Sequence, residues 1–243
     1  NYNNRPVFSS LGTALQNQSD HNQVTNSHGK DRVAPLLFLS KGPLRALTYH
    51  SYVYLWSSSS ISIISFFLMM IARGWLVLEM TDSAFLVTAT QAASMLPQLF
   101  TSLIGGFLAD RFNRKKLIIF AELFNMSTLI VLSVLVITNA VQVWQIFVLS
   151  FMGGITFSIG FLARTSSVPN LVERNDITSA VALFTTVFSA GQLIGPAIAG
   201  VLIESLGMGI TFLSSALVLI FAILMLIPLK ALTSPAPGGG ARS

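Results

Sequence analysis

The chain has 243 residues, of which 53% are hydrophobic and 9% charged, against about 25% charged residues in an ordinary soluble domain. That balance excludes a soluble globular enzyme and leaves a polypeptide built for lipid. A formal charge of +5 would point to nucleic acid in a soluble protein, but here the bases are interspersed with apolar runs and suit lipid headgroups instead.

Residues 1–48 read as a polar cytoplasmic tail. From Asn1 to about Arg32 the composition is Asn, Gln, Ser and His with few large apolar groups. Burial there is too small to offset the entropy of ordering, so disorder is expected. Ala34 to Arg45 is mildly amphipathic and suits an interfacial lead-in along the bilayer surface. Residues 49–230 form a six-helix transmembrane domain with apolar runs at about Tyr52–Leu78, Ala84–Leu108, Leu117–Thr138, Val143–Leu162, Ala180–Ile203 and Ile210–Leu229. Each is long enough to cross a hydrocarbon core of roughly 30 Å. Residues 231–243, with Gly238, Gly239 and Gly240, read as a low-complexity tail.

Lys and Arg should concentrate in short cytoplasmic loops. Arg5, Lys30, Arg32, Lys41 and Arg45 precede span 1; Arg111, Arg114, Lys115 and Lys116 follow span 2; Arg164 and Arg174 follow span 4; Lys230 and Arg242 follow span 6. Only Arg73 falls elsewhere, inside a span. Both termini are therefore expected in the cytoplasm.

On span 1, Ser58, Ser62 and Ser65 share a face, and Arg73, eleven residues beyond Ser62, returns to within about 20° of it. An intramembrane arginine is a functional candidate by default, as a cavity wall or a solute contact. The alternative is a side chain that snorkels to the interface or to Glu79. Span 2 carries Thr88, Gln91, Ser94, Gln98 and Ser102 at helical spacing, with Pro97 beside Gln98; span 5 carries Thr185, Ser189 and Gln192, with Pro196 four residues on. Ser62, Arg73, Gln91, Gln98 and Gln192 are thus candidate cavity-lining residues, interhelical packing being the competing account. Glu122, about one turn into span 3, is expected to pair with Arg111 or Arg114, or to serve as a proton site.

Between spans 2 and 3 stands the run Gly106-Phe107-Leu108-Ala109-Asp110-Arg111-Phe112-Asn113-Arg114-Lys115-Lys116. It resembles the loop between helices 2 and 3 of major facilitator superfamily transporters, G-x-x-x-D-R-x-G-R-[RK]-[RK]. Asn113 replaces the second glycine, as a residue tolerant of left-handed backbone. The segment Gly191-Gln192-Leu193-Ile194-Gly195-Pro196-Ala197-Ile198-Ala199-Gly200 resembles the helix-5 motif G-x-x-x-G-P-x-x-G-G of exporters in that superfamily, with Ala199 for one glycine. Gly191, Gly195 and Ala199 also make a small-residue groove, and Pro196 removes a backbone hydrogen bond. Trp75–Ser83 and Ala163–Val172 look like the bacterial group that includes the enterobactin and macrolide exporters.

The resemblance implies an all-α integral membrane fold in which six helices, a 3+3 inverted repeat, form one half of a larger carrier. Since the chain begins with Asn and carries one six-helix unit, it reads as an N-terminal half. Its implied partners are the C-terminal six-helix half, the lipid bilayer and a small-molecule substrate, with no nucleic acid. The implied gating residues are Gly106, Asp110, Arg111, Arg114, Gly191, Gly195, Pro196 and Gly200, Asp110 engaging the N-terminal end of a helix in the other half. The expected function is secondary export of small amphiphilic compounds such as drugs or siderophores by alternating access, across a bacterial inner membrane. A six-helix channel or a membrane scaffold is the alternative. No cysteine occurs, the three histidines His21, His28 and His50 precede the first span, and neither H-E-x-x-H nor a phosphate-cradling G-x-x-x-x-G-K-[ST] is present. Neither a metal, a cofactor nor an enzymatic activity is expected.

Overall fold

The computed structural model describes residues 44–111 and 113–229, with side chains for all of these except 102–111. Every regular element among the described residues is helical. Six long helices follow one another as α1 (His50–Thr81), α2 (Ala84–Arg111), α3 (Arg114–Ile137), α4 (Val143–Ser167), α5 (Ile177–Leu206) and α6 (Met208–Leu226). Short 3-10 turns occupy Arg45–Thr48, Val168–Asn170 and Arg174–Asp176. Judged on the described residues, α1, α3, α4, α5 and α6 are long and apolar enough to cross a membrane. At 32 residues α1 is roughly 48 Å long, more than a hydrocarbon core requires.

The connections are too short for anything but reversal. Asp82 ends α1 in left-handed backbone (φ 50°), its N–H donating to Leu78 O at 2.8 Å. Gly207, at φ 77°, separates α5 from α6. Asn113 does not take the left-handed conformation that its place in the charged turn suggests. Its φ is −64°, and its side chain caps α3 by accepting from the Lys116 N–H at 3.3 Å. Asparagine is a strong N-cap, and that preference outweighs the turn geometry.

Helix α1 packs on α5 and α6, α4 packs on α2 and α3, and α3 meets α6, with lighter contact of α1 to α2 and α4. Small residues set the closest approaches. A Cβ on Gly154 of α4 would overlap Ser94 O of α2, and one on Gly195 of α5 would lie 2.7 Å from Phe67 Cβ and 2.9 Å from Leu68 N of α1. Gly191 and Gly195 therefore form a seam between α1 and α5, as the groove reading requires. Gly200, by contrast, has nothing within 4 Å of where its Cβ would lie.

Three apolar clusters run along the bundle. One, at the Arg114 end, gathers Tyr52, Leu55, Ile118, Leu171, Leu183 and Leu226. At the Asp82 end, Leu76, Leu129, Leu132, Phe212 and Leu219 make another. Between them Phe66 of α1 stacks on Phe157 of α4, ring centroids 3.7 Å apart. The Arg114 end is further tied by Asp176, which accepts from Tyr49 Oη at 2.8 Å and pairs with Arg45 Nε at 3.1 Å. Apolar side chains also face outward, among them Leu99 and Phe100 on α2, Leu193 and Val201 on α5, and Phe221 on α6.

Candidate functional site

A buried ionic tie joins three helices at the base of the serine stripe. Arg164 Nη2 of α4 donates to Glu122 Oε1 of α3 at 2.6 Å and to Ser62 Oγ of α1 at 3.0 Å, and Ser62 Oγ in turn donates to Glu122 Oε1 at 2.7 Å. The paired side chains are 4% and 5% exposed. Gly160 leaves room for the guanidinium, since a Cβ there would lie 3.2 Å from Arg164 Nη1. Two expectations are corrected here. Glu122 pairs with Arg164 rather than with Arg114, the side chain of Arg111 lying outside the described residues, and Arg164 is a core residue of α4 rather than a loop charge. The reason is mutual: each desolvated charge is tolerable only with the other present. Glu122 Oε2 and Arg164 Nε stay buried without partners, so the tie is incompletely satisfied.

Arg73 is buried, 3% exposed, and does not snorkel to Glu79. Glu79 instead accepts from Trp75 Nε1 at 2.8 Å on the outer face of α1. The Arg73 guanidinium lies over Gly153 of α4, where a Cβ would come within 3.1 Å of Nη1.

The polar stripe of α2 divides. Thr88 is exposed, Ser94 is buried against α4, and Gln91 lies over Gly74 of α1, with its Nε2 3.1 Å from the position of a Cβ there. Gln98 turns instead into a pocket of about 280 Å³ between α2, α4 and α5. Thr101, Phe157, Ser158, Phe161, Thr165 and Phe188 line it too. Phe161 meets Phe188 edge-on at 5.6 Å and Phe157 at 6.0 Å, giving an aromatic wall. Thr101 and Thr165 spend their hydroxyls on their own helices, donating to Pro97 O and Phe161 O. Ser158 Oγ is buried without a hydrogen-bond partner. Apolar walls with a few convergent polar groups are what small-molecule sites have in common. The residues of α4 carry this pocket, and the sequence reading missed them. Their signal was an aromatic repeat of four, Phe157 and Phe161 followed by Thr165, which looks the same as core packing.

Ser62, Arg73 and Gln91 do not line this pocket, and Gln192 lies exposed on α5 beside exposed Ser189 and Thr185. In the charged turn, Gly106, Asp110 and Arg111 fall in the stretch whose side chains lie outside the described residues. Arg114 Nη1 donates to Ser166 O at 2.8 Å, tying α3 to the last turn of α4, and Lys115 Nζ reaches Ile227 O at 2.6 Å. Pro196 lies within α5.

The helical bundle and its charged turn have recognisable relatives. A family profile described as transmembrane secretion effector matches residues 41–237. The chain is 25% identical over 190 residues to the staphyloferrin A transporter of Staphylococcus aureus, covering 78% of this chain and 48% of that protein. It is 30% identical over 142 residues to the multidrug efflux pump Tap of Mycolicibacterium fortuitum (56% and 35%) and 29% identical over 175 residues to an enterobactin exporter of Shigella boydii (72% and 42%). The chain thus spans about half or less of the length of these relatives. Profile, relatives and apolar helices agree on a multi-pass membrane protein. The chain belongs to the transmembrane secretion effector family of the major facilitator superfamily.

Proposed function

We propose that this chain forms the N-terminal six-helix half of a secondary active exporter that carries small amphiphilic solutes, drugs or siderophores among them, by alternating access. The observation that carries the reading is the pocket between α2, α4 and α5, where an aromatic wall stands beside an unpartnered hydroxyl and the Gln98 amide. It lies next to the exposed faces of α2 and α5, against which a second half would close. A 3+3 inverted repeat is supported by the packing pattern, because exchanging α1, α2 and α3 with α4, α5 and α6 turns the α1–α5 contact into α4–α2 and the α1–α6 contact into α4–α3. The distribution of bases supports cytoplasmic termini. In this reading Asp110 and the charged turn hold one of the two alternating states.

Ser158→Ala is expected to leave stability unchanged, since no hydrogen bond is lost. Phe161→Ala is expected to raise the KM for an aromatic solute by roughly tenfold. A melting curve in detergent measures the first and initial rates of solute uptake into inverted vesicles the second, and an unchanged KM in Phe161→Ala would remove the pocket from the transport path. Counterflow in vesicles tests the carrier itself, with labelled macrolide or enterobactin as the probe. An alternating-access carrier exchanges labelled for unlabelled solute, and Asp110→Asn slows that exchange with insertion unaltered. Ohmic current without exchange would favour the channel.

A further inference from the structure

Arg73 is a buried cation with no hydrogen bond and no ion pair among the described residues, and its Nε is fully enclosed. Among the described residues the acids are engaged or out of reach. Glu79 is held by Trp75, Glu122 by Arg164 and Asp176 by Arg45 and Tyr49; Asp82 and Glu204 are exposed, and Glu173 lies in the connection at the opposite end of the bundle. Nor is Arg73 near the helix end. It precedes Thr81 by eight residues, about 12 Å along the axis.

The surroundings make room for the guanidinium and offer it nothing. Gly153 lies beneath it, where a Cβ would fall 3.1 and 3.2 Å from Nη1 and Nη2. At a similar depth from the same end are two more buried polar atoms without partners, Gln91 Oε1 of α2 and Ser150 Oγ of α4, each seven residues inside its helix. A buried cation at the same depth as a free acceptor and a free hydroxyl suits an oxyanion that carries a neighbouring O–H or N–H.

We propose that Arg73, seated over Gly153 with Gln91 and Ser150 at its depth, is an oxyanion site that takes a carboxylate or phenolate of the carried solute. This rests on the reading of the chain as a transporter and names the chemistry its solute must bear. A lipid phosphate presents the same chemistry, and the experiment separates the two.

The probe is salicylate, compared with its neutral analogue salicylamide, titrated against the intact protein in detergent by calorimetry. The wild type is expected to prefer salicylate by roughly tenfold, Arg73→Gln to lose that preference, and Arg73→Lys to keep part of it. Gly153→Ala should weaken salicylate with the arginine still present, because the methyl group occupies the guanidinium's seat. Arg73→Gln is expected to melt no lower than the wild type, since it removes an unpaired buried charge, so lost binding is not lost fold. Equal affinity for the two probes in the wild type, or a salicylate preference that survives in Arg73→Gln, overturns the site. Repeating the titration in phosphatidylglycerol and phosphatidylcholine discs identifies the source. A preference abolished only by phosphatidylglycerol overturns the solute in favour of lipid phosphate, and a preference kept in both supports the solute. Binding is read without transport, so Arg73-dependent binding in a protein that shows no counterflow would keep the site and reject the carrier.

Discussion

Glu122→Ala is expected to destabilise the bundle by about 3–5 kcal/mol, read as a large fall in melting temperature in detergent. The loss does not measure a strong ion pair. It arises because Arg164, 4% exposed on its side chain, would be left inside α1, α3 and α4 with only the Ser62 hydroxyl for company. Replacing both partners together, Glu122→Leu with Arg164→Met, should recover most of the stability, since two apolar groups of similar volume need no compensation. A double variant as unstable as Glu122→Ala would mean that the tie contributes through its geometry across three helices rather than through charge balance.

Gly195→Leu is expected to be nearly as damaging, for a reason unrelated to charge. Even a methyl group at Gly195 would come within 2.9 Å of the α1 backbone at Leu68, so α1 and α5 must separate. Overpacking of this kind costs about 1–3 kcal/mol and more where backbone must move. At Gly200 a Cβ would meet nothing within 4 Å, so Gly200→Leu should leave the melting temperature unchanged. The contrast divides the glycine-proline segment into two functions that its sequence alone does not separate. Gly191 and Gly195 build this bundle, and a transport defect at Gly200 would report contact with something outside it. Equal thermal loss at both positions would contradict the α1–α5 seam.

Five of the expected spans, α1 and α3 to α6, were legible because lipid demands long apolar runs and the loops between them are too short to do anything but reverse the chain. Their ends were less so. Hydropathy stops the fourth helix near Leu162 because Arg164 looks like a loop base, yet α4 continues to Ser167 with that arginine inside. Only a partner on another helix makes a buried charge tolerable, and no local pattern along α4 announces Glu122. The same blindness affected Arg73. Its helical phase with the serines was visible, whereas the alternative of snorkelling to the interface or to Glu79 fails because the side chain is buried and Glu79 accepts from Trp75. At the pocket, Gln98 stood out as a polar residue in an apolar run. Phe157, Phe161 and Phe188 did not, because aromatic residues inside a membrane helix look alike whether they face a neighbour or a cavity.

Everything above requires that successive helices cross the bilayer in alternate directions. The chain has no cysteine, so single cysteines placed at Asp82 and at exposed Lys116 can be probed with a membrane-impermeant maleimide on intact cells. The account predicts labelling at Asp82 from outside and at Lys116 only after permeabilisation. Labelling of both from the same side would contradict the threading and the carrier reading with it.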